Sequence, residues 1–280
     1  MLDDPEFPAD GALNRFSRSV GLAALLLFAM SGCVTPHNPL AHWVPSPNHN
    51  ARAAILVVLH ATEQDSVQQS LQTLRTGNSG GPVSAHYLIG RDGAIYQLVD
   101  EERRAWHAGP GRWGTITDVN SASIGIELDN NGRDPFPGVQ IDSLVRLLAD
   151  VCTRLDIPRS QVIGHADMAP TRKRDPGPLF PWARLASEGF GQWPGMEAGP
   201  APPGFDAMQA LRVLGYSLDD PEAAIRAFRL HYRGAAGETT TLDADDARIL
   251  YALSRDQYQE HPTPPPAVQP AAGDLRRIVP

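Results

Sequence analysis

Ala53 to Leu59 reads Ala-Ala-Ile-Leu-Val-Val-Leu, an apolar run with no polar residue to turn toward solvent. A strand of this kind has to be buried on both faces, so it belongs at the centre of a covered sheet and not in a sheet with one wet side. His60 follows at its C-terminal end, the edge where α/β sheets collect their chemistry.

The neighbouring segments supply what such a strand needs. Ser66 to Arg75 has the pattern of a short helix. His86 to Ile89 and Ala94 to Val99 read as two strands joined across Gly90-Arg-Asp-Gly93, an Asp-Gly hairpin signal. Ile124 to Leu128 is a further short strand with Glu127 near its end. Ile141, Leu144, Val145, Leu148, Val151, Cys152 and Leu155 fall on one helical face and mark the clearest helix of the chain. Gln161 to Gly164 then forms a last strand that delivers His165 beside His60. The expectation for residues 51–192 is an α/β fold, a central mixed β-sheet flanked by helices.

Beyond it, Trp193 to Gly204 (W-P-G-M-E-A-G-P-A-P-P-G) can hold no regular element and reads as a linker. Residues 205–258 carry three helical signals, the first over Phe205 to Leu214. Asp220 as N-cap and Pro221 in the first turn open the second, which carries Ile225, Phe228 and Tyr232. Asp243 opens the third, with acids in its first turn and Ile249, Leu250 and Leu253 along one face. They predict a small all-α three-helix C-terminal domain, followed over residues 259–280 by a Pro-rich, disordered tail.

A formal charge of −8, with no concentrated cationic face, argues against nucleic acid as a partner. The two cysteines differ in context. Cys152 is a core-facing helix position, the place of a small buried apolar residue. Cys33 follows the apolar run Val20 to Gly32, which is preceded by Arg15 and Arg18 and is too short to span a bilayer. Met30-Ser-Gly-Cys33 resembles a bacterial lipobox, whose cysteine is lipidated and becomes the new N-terminus. Residues 1–33 are therefore expected to be a lipoprotein signal peptide and residues 34–50 a polar tether. The acids Asp3, Asp4, Glu6 and Asp10 do not suit a signal-peptide start, which places the expected start downstream of Met1. Val34, where an aspartate resembles an inner-membrane retention signal, leads to the periplasmic face of the outer membrane as the expected location.

The stretch Gly164 to Gly177 reads G-H-A-D-M-A-P-T-R-K-R-D-P-G and gathers His165, Lys173 and Asp175 in one loop. With His60 they make two imidazoles and a carboxylate, a ligand set for a hydrolytic zinc ion with a fourth position left for water. Spacing alone decides little. A chain with 9 histidines often yields such a pair, and a histidine at a strand end is more often a hydrogen-bonded structural residue.

Five motifs in order weight the reading: L-V-V-L-H60, S-A-H-Y-L-I-G-R-D-G, A-W-H-A-G at 105–109, S-I-G-I-E127, and G-H165-A-D-M-A-P-T-R-K173-R-D175-P-G-P-L-F-P-W182. Over residues 50–190 the chain resembles the zinc-dependent N-acetylmuramoyl-L-alanine amidases, which share a fold with phage lysozyme-type amidases and peptidoglycan recognition proteins. The chain is most similar to a lipoprotein amidase of that family that also carries a small C-terminal helical domain, and residues 205–258 resemble a peptidoglycan-binding domain.

The resemblance implies one zinc ion per catalytic domain, held by His60, His165 and Asp175. It implies Glu127 as the catalytic acid and base, and Lys173 as the cation that stabilises the oxyanion. An ion pair between Lys173 and Asp175, or a solvated place within Arg172-Lys173-Arg174, is the competing structural reading. Trp106, His107 and Asn130 are expected to line the cleft by their motif positions, His107 without ligating zinc, and His86 to support the hairpin. The implied partners are peptidoglycan or muropeptides and, through Cys33, a membrane; the chain is expected to be a monomer. Two other functions remain open: a peptidoglycan-recognition protein that binds without cutting, and a zinc peptidase acting within the stem peptide.

Overall fold

The computed structural model describes residues 37–51, 54–195, 199–235, 237 and 239–260. Residues 1–36, which include Cys33 and the segment expected to be a signal peptide, and residues 261–280 lie outside the described residues. The chain divides into two compact units, Met1–Asn38 and Pro39–Pro280, and every element below lies in the second.

The apolar run forms strand β3, Leu56–Ala61, with all six residues buried. It starts later than the run itself and extends through His60. The other strands are β1 (His42–Trp43), β2 (His49–Ala51), β4 (Tyr87–Ile89), β5 (Ile95–Gln97), β6 (Arg103–Ala105), β7 (Ser123–Leu128) and β8 (Val162–Gly164). Six of them make one sheet in the order β1-β5-β4-β7-β3-β8, and β2 pairs with β6 in a separate ribbon. The β4–β5 hairpin is antiparallel and closes through Gly90 N–H to Ala94 O at 2.9 Å, whereas β4, β7, β3 and β8 run parallel. The sheet is mixed, as expected. The strands β1, β2 and β6 are only two or three residues long, too short to leave a periodic signal.

Register on β3 sets the geometry that follows. His60 is paired with Glu127 on β7, and Leu59 with Gly164 at the end of β8. Paired residues on adjacent strands point to the same face, so His60 and Glu127 project side by side and the chain leaving β8 starts next to them.

Alternation along β3 also explains why its sequence is apolar at every position. Val57 and Leu59 join one cluster with Ile124, Ile126 and the buried face of helix α3, Gly138–Arg154, preceded along the chain by α1 (Val67–Thr76) and α2 (Val119–Ala122). Leu56 and Val58 join a different cluster, which runs through Trp113, Ile163 and Met168 to Leu211, Tyr216, Ile225, Phe228 and Leu250. The latter residues belong to the C-terminal helices or their connections. After α4 (His165–Met168) and α5 (Trp182–Ser187) come α6 (Ala207–Leu214), α7 (Pro221–Arg233) and α8 (Ala244–Glu260). The C-terminal helices thus share a core with the second face of the sheet.

Local signals hold at the helix ends. Ser66, Asp206 and Asp220 each cap a helix by accepting an N–H three residues on, and Gly234 closes α7 in the left-handed conformation at φ 65°. A buried Arg229–Asp246 pair at 2.6 Å ties α7 to α8.

Candidate metal centre

His60 Nδ1, His165 Nδ1 and Asp175 Oδ2 form a triangle with sides of 2.8, 3.0 and 3.3 Å. All three side chains are buried, and they form a group suited to hold a metal ion. Tetrahedral coordination with bonds of roughly 2.0–2.2 Å spreads its ligand atoms by roughly 3.3 Å, so the donor set fits with little movement. Two imidazole nitrogens facing each other at 2.8 Å also need a proton or a cation between them.

The far ring nitrogens are already committed. His165 Nε2–H donates to Ala108 O at 2.9 Å, and His60 Nε2 is hydrogen-bonded to His107 Nδ1 at 3.0 Å. Such outer contacts fix which nitrogen is presented and hold the ring plane. Both histidines therefore offer Nδ1.

The loop delivers its two donors by folding back on itself. β8 ends at Gly164 and α4 begins at once with His165, while Ala166 N–H donates to Asp175 O at 2.9 Å. The Asp175–Pro176 peptide is cis. Lys173 N–H closes onto Ala169 O at 2.9 Å, which turns the intervening residues into a compact arc.

Electrostatics separate the groups. Burial, reinforced by the neighbouring His165, pushes the His60 imidazole down to about 4 against the pull of Asp175. Burial would raise the Asp175 carboxyl, but the charges and hydrogen bonds of His165 and His60 outweigh it and hold the group well below the usual carboxylate range. Glu127 behaves oppositely. Burial and the Asp175 charge push it up to about 8, with Lys173 opposing and Glu63 adding a little. Its Oε2 is buried and has no hydrogen-bond partner. A cation in the triangle would favour the Glu127 carboxylate.

Glu127, Lys173, Trp106 and His107 line the same cleft as the three metal-site residues. Lys173 forms no ion pair among the described residues, so the pairing with Asp175 is not the arrangement adopted. His107 lines the cleft and also braces the scaffold: besides its bond to His60, its Nε2 lies 3.3 Å from Ser123 Oγ. Gly125 permits this, since a Cβ there would lie 2.4 Å from the His107 ring. Asn130 does not line the cleft. It is 2% exposed, its Oδ1 accepts from Gly132 N–H at 2.7 Å, and its Nδ2 donates to Asp134 O at 3.0 Å. Its role there is to shape the loop after β7. The His86 ring bonds outside the hairpin it was expected to support, with Nδ1 accepting from Gly125 N–H on β7 and Nε2 bonded to Arg103 O on β6.

Two contributors leave no mark in the sequence. The Ala108 carbonyl is main chain and has no residue signature. Glu63, on the cleft wall, adopts φ 52°, a left-handed conformation unusual outside glycine.

Two imidazoles and a carboxylate converging beside a partnerless glutamate, on a mixed sheet, define a metal hydrolase site. The chain belongs to the N-acetylmuramoyl-L-alanine amidase family. The family's model, described as N-acetylmuramoyl-L-alanine amidase, matches residues 50–178. The chain is 38% identical over 240 residues to the N-acetylmuramoyl-L-alanine amidase AmiD of Escherichia coli K12, covering 73% of this chain and 84% of that protein. The structure of E. coli AmiD in complex with anhydro-N-acetylmuramic acid-L-Ala-D-gamma-Glu-L-Lys superposes with a TM-score of 0.63 at 34% identity, over 76% of this chain and 93% of that one. AmpDh3 of Pseudomonas aeruginosa, in complex with anhydromuramic pentapeptide, gives 0.65 at 32% identity, over 79% and 98%.

The raised Glu127 carboxyl has a consequence for the metal-free chain. Between the ordinary value of 4.5 and about 8 the folded chain binds a proton that the unfolded chain has released. This contribution to stability is full below the unfolded value and is lost as pH rises through the folded one. Denaturant titrations with chelator present should show wild type losing more stability than Glu127→Gln as pH rises from about 4.5 to about 8. Equal slopes for the two proteins would contradict the assignment.

Proposed function

We propose that this protein is a zinc-dependent amidase that hydrolyses the bond between the lactyl group of N-acetylmuramic acid and L-alanine in peptidoglycan. The observation that carries the reading is the partnerless Glu127 Oε2 in one cleft with His60, His165 and Asp175. The muramoyl-peptides bound in the AmiD and AmpDh3 structures support the substrate class.

Zinc, when bound by His60, His165 and Asp175, supplies Lewis acidity to the scissile carbonyl and acidifies a water. Glu127 accepts the proton of the attacking water at Oε2. It then returns that proton to the alanine nitrogen as the C–N bond breaks, so one carboxyl serves as base and acid in turn. Lys173 offsets the negative charge that grows on the carbonyl oxygen as its carbon becomes tetrahedral. His107 holds His60 in place throughout. Trp106 offers an aromatic wall to the substrate. No covalent enzyme intermediate is needed.

Glu127→Gln is expected to lower kcat by about 10²–10⁴ while retaining zinc, and Lys173→Met to lower it by about 10²–10³. Mass spectrometry of digested sacculi reads the outcome, with stem peptides beginning at L-Ala as the predicted product. Absence of any released peptide would point to a binding protein, and a new D-Glu or D-Ala terminus to a peptidase within the stem.

The reading extends to the ends of the chain. Cys33 carries a lipid anchor that holds a monomeric enzyme on the periplasmic face of the outer membrane, and residues 205–258 add affinity for the wall. The Met30-Ser-Gly-Cys33 motif supports the anchor. In cells expressing the chain, Cys33→Ala should abolish incorporation of labelled palmitate and release the protein from the membrane fraction. Unchanged labelling would overturn the anchor.

A further inference from the structure

One carboxylate inside the metal loop joins it to the C-terminal helices. Asp167, two residues after His165 and 1% exposed, accepts three hydrogen bonds. Gly164 N–H donates to its Oδ2 at 2.7 Å, His231 Nδ1–H to the same oxygen at 2.8 Å, and the Tyr216 hydroxyl to Oδ1 at 2.6 Å. Only the first of these is local. Tyr216 follows α6, and His231 lies in the last turn of α7.

Both remote donors are themselves fixed. The His231 ring stacks on Trp182 with centroids 3.7 Å apart and planes at 14°, and on Tyr232 at 4.3 Å and 17°. Tyr216 packs edge-on against Trp113 at 5.2 Å and Phe228 at 6.1 Å. Asp167 therefore meets a rigid pair of donors.

What Asp167 anchors is the turn that carries the metal site. That turn starts with His165, and its Ala166 N–H holds the Asp175 backbone at 2.9 Å. A shift of the turn moves both donors relative to His60, which is fixed separately on β3. A buried carboxylate that loses a donor has a strong incentive to shift, since the unmet desolvation cost falls on it.

We propose that Tyr216 and His231 are positioning residues for the metal centre. Through Asp167, the C-terminal helices clamp the loop so that His165 and Asp175 stay in register with His60. The helical segment then serves the reaction from within the fold, in addition to its proposed affinity for the wall. This inference rests on the zinc-site reading above.

Zinc affinity, measured on the full chain by competition with a chromogenic chelator and without substrate, tests it alongside thermal unfolding. Tyr216→Phe and His231→Leu should each raise the zinc Kd about tenfold, as removal of outer contacts does at other metal sites. His231→Asn, whose amide N–H can replace the Nδ1–H, should restore most of the affinity. Leu250→Ala removes a side chain 1% exposed in the same cluster but without a hydrogen bond to Asp167. It should lower Tm and leave the zinc Kd unchanged. Wild-type zinc affinity in Tyr216→Phe and His231→Leu would overturn the clamp, as would an equal loss in Leu250→Ala. Should His231→Leu fail to fold, Tyr216→Phe, which deletes one hydroxyl, decides alone. A chain that binds zinc and loses it on Tyr216→Phe, yet releases no stem peptide, would sink the amidase reading and leave the clamp standing.

Discussion

Parallel pairing of β3 with β7 on one side and β8 on the other is the constraint on which the rest depends. It puts His60 level with Glu127 and brings Gly164 level with Leu59, so three segments distant in sequence release their chemistry at one place. A slip of one residue in either register would turn a side chain to the opposite face and dissolve the site. Each face of β3 packs into a different apolar cluster, so the strand is buried throughout.

Burial also sets the chemistry. Removed from water, His60 stays neutral to about pH 4 and is available as a donor, while Asp175 keeps its charge through its two histidine neighbours. The same environment holds a proton on Glu127 to about pH 8 in the metal-free chain. Two carboxyls in one cleft are thereby driven apart, which is how a site assigns one group to ligation and another to proton transfer.

Much of this was legible in the sequence, for identifiable reasons. The unbroken apolar run located β3, and the periodicity of Ile141 to Leu155 located α3, because those patterns are imposed directly by burial. Asp220-Pro221 and the Asp-Gly hairpin were legible because caps and turns are local. Residue types suggest the metal triangle, spacing alone supports it weakly, and the ordered motifs of the family resemblance carry it. What stayed hidden depends on tertiary contact. His107 lines the cleft, but no motif announces its bond to His60, and Asn130 sits in a suggestive motif yet shapes a loop. The bonds from Tyr216 and His231 to Asp167 span 49 and 64 residues, and no pattern in the chain announces them. Nor did the Pro/Gly-rich stretch after Trp193 hint that the helices beyond it would share a core with the sheet.

The central claim is that His60, His165 and Asp175 form one metal centre through two Nδ1 atoms and a carboxylate oxygen. Anomalous diffraction at the zinc edge, on crystals grown with zinc, tests it directly. The account predicts one strong peak within about 2.0–2.2 Å of His60 Nδ1, His165 Nδ1 and an Asp175 oxygen. A peak bonded to His107 in place of one of these, ligation through either Nε2, or no peak at the triangle would contradict it.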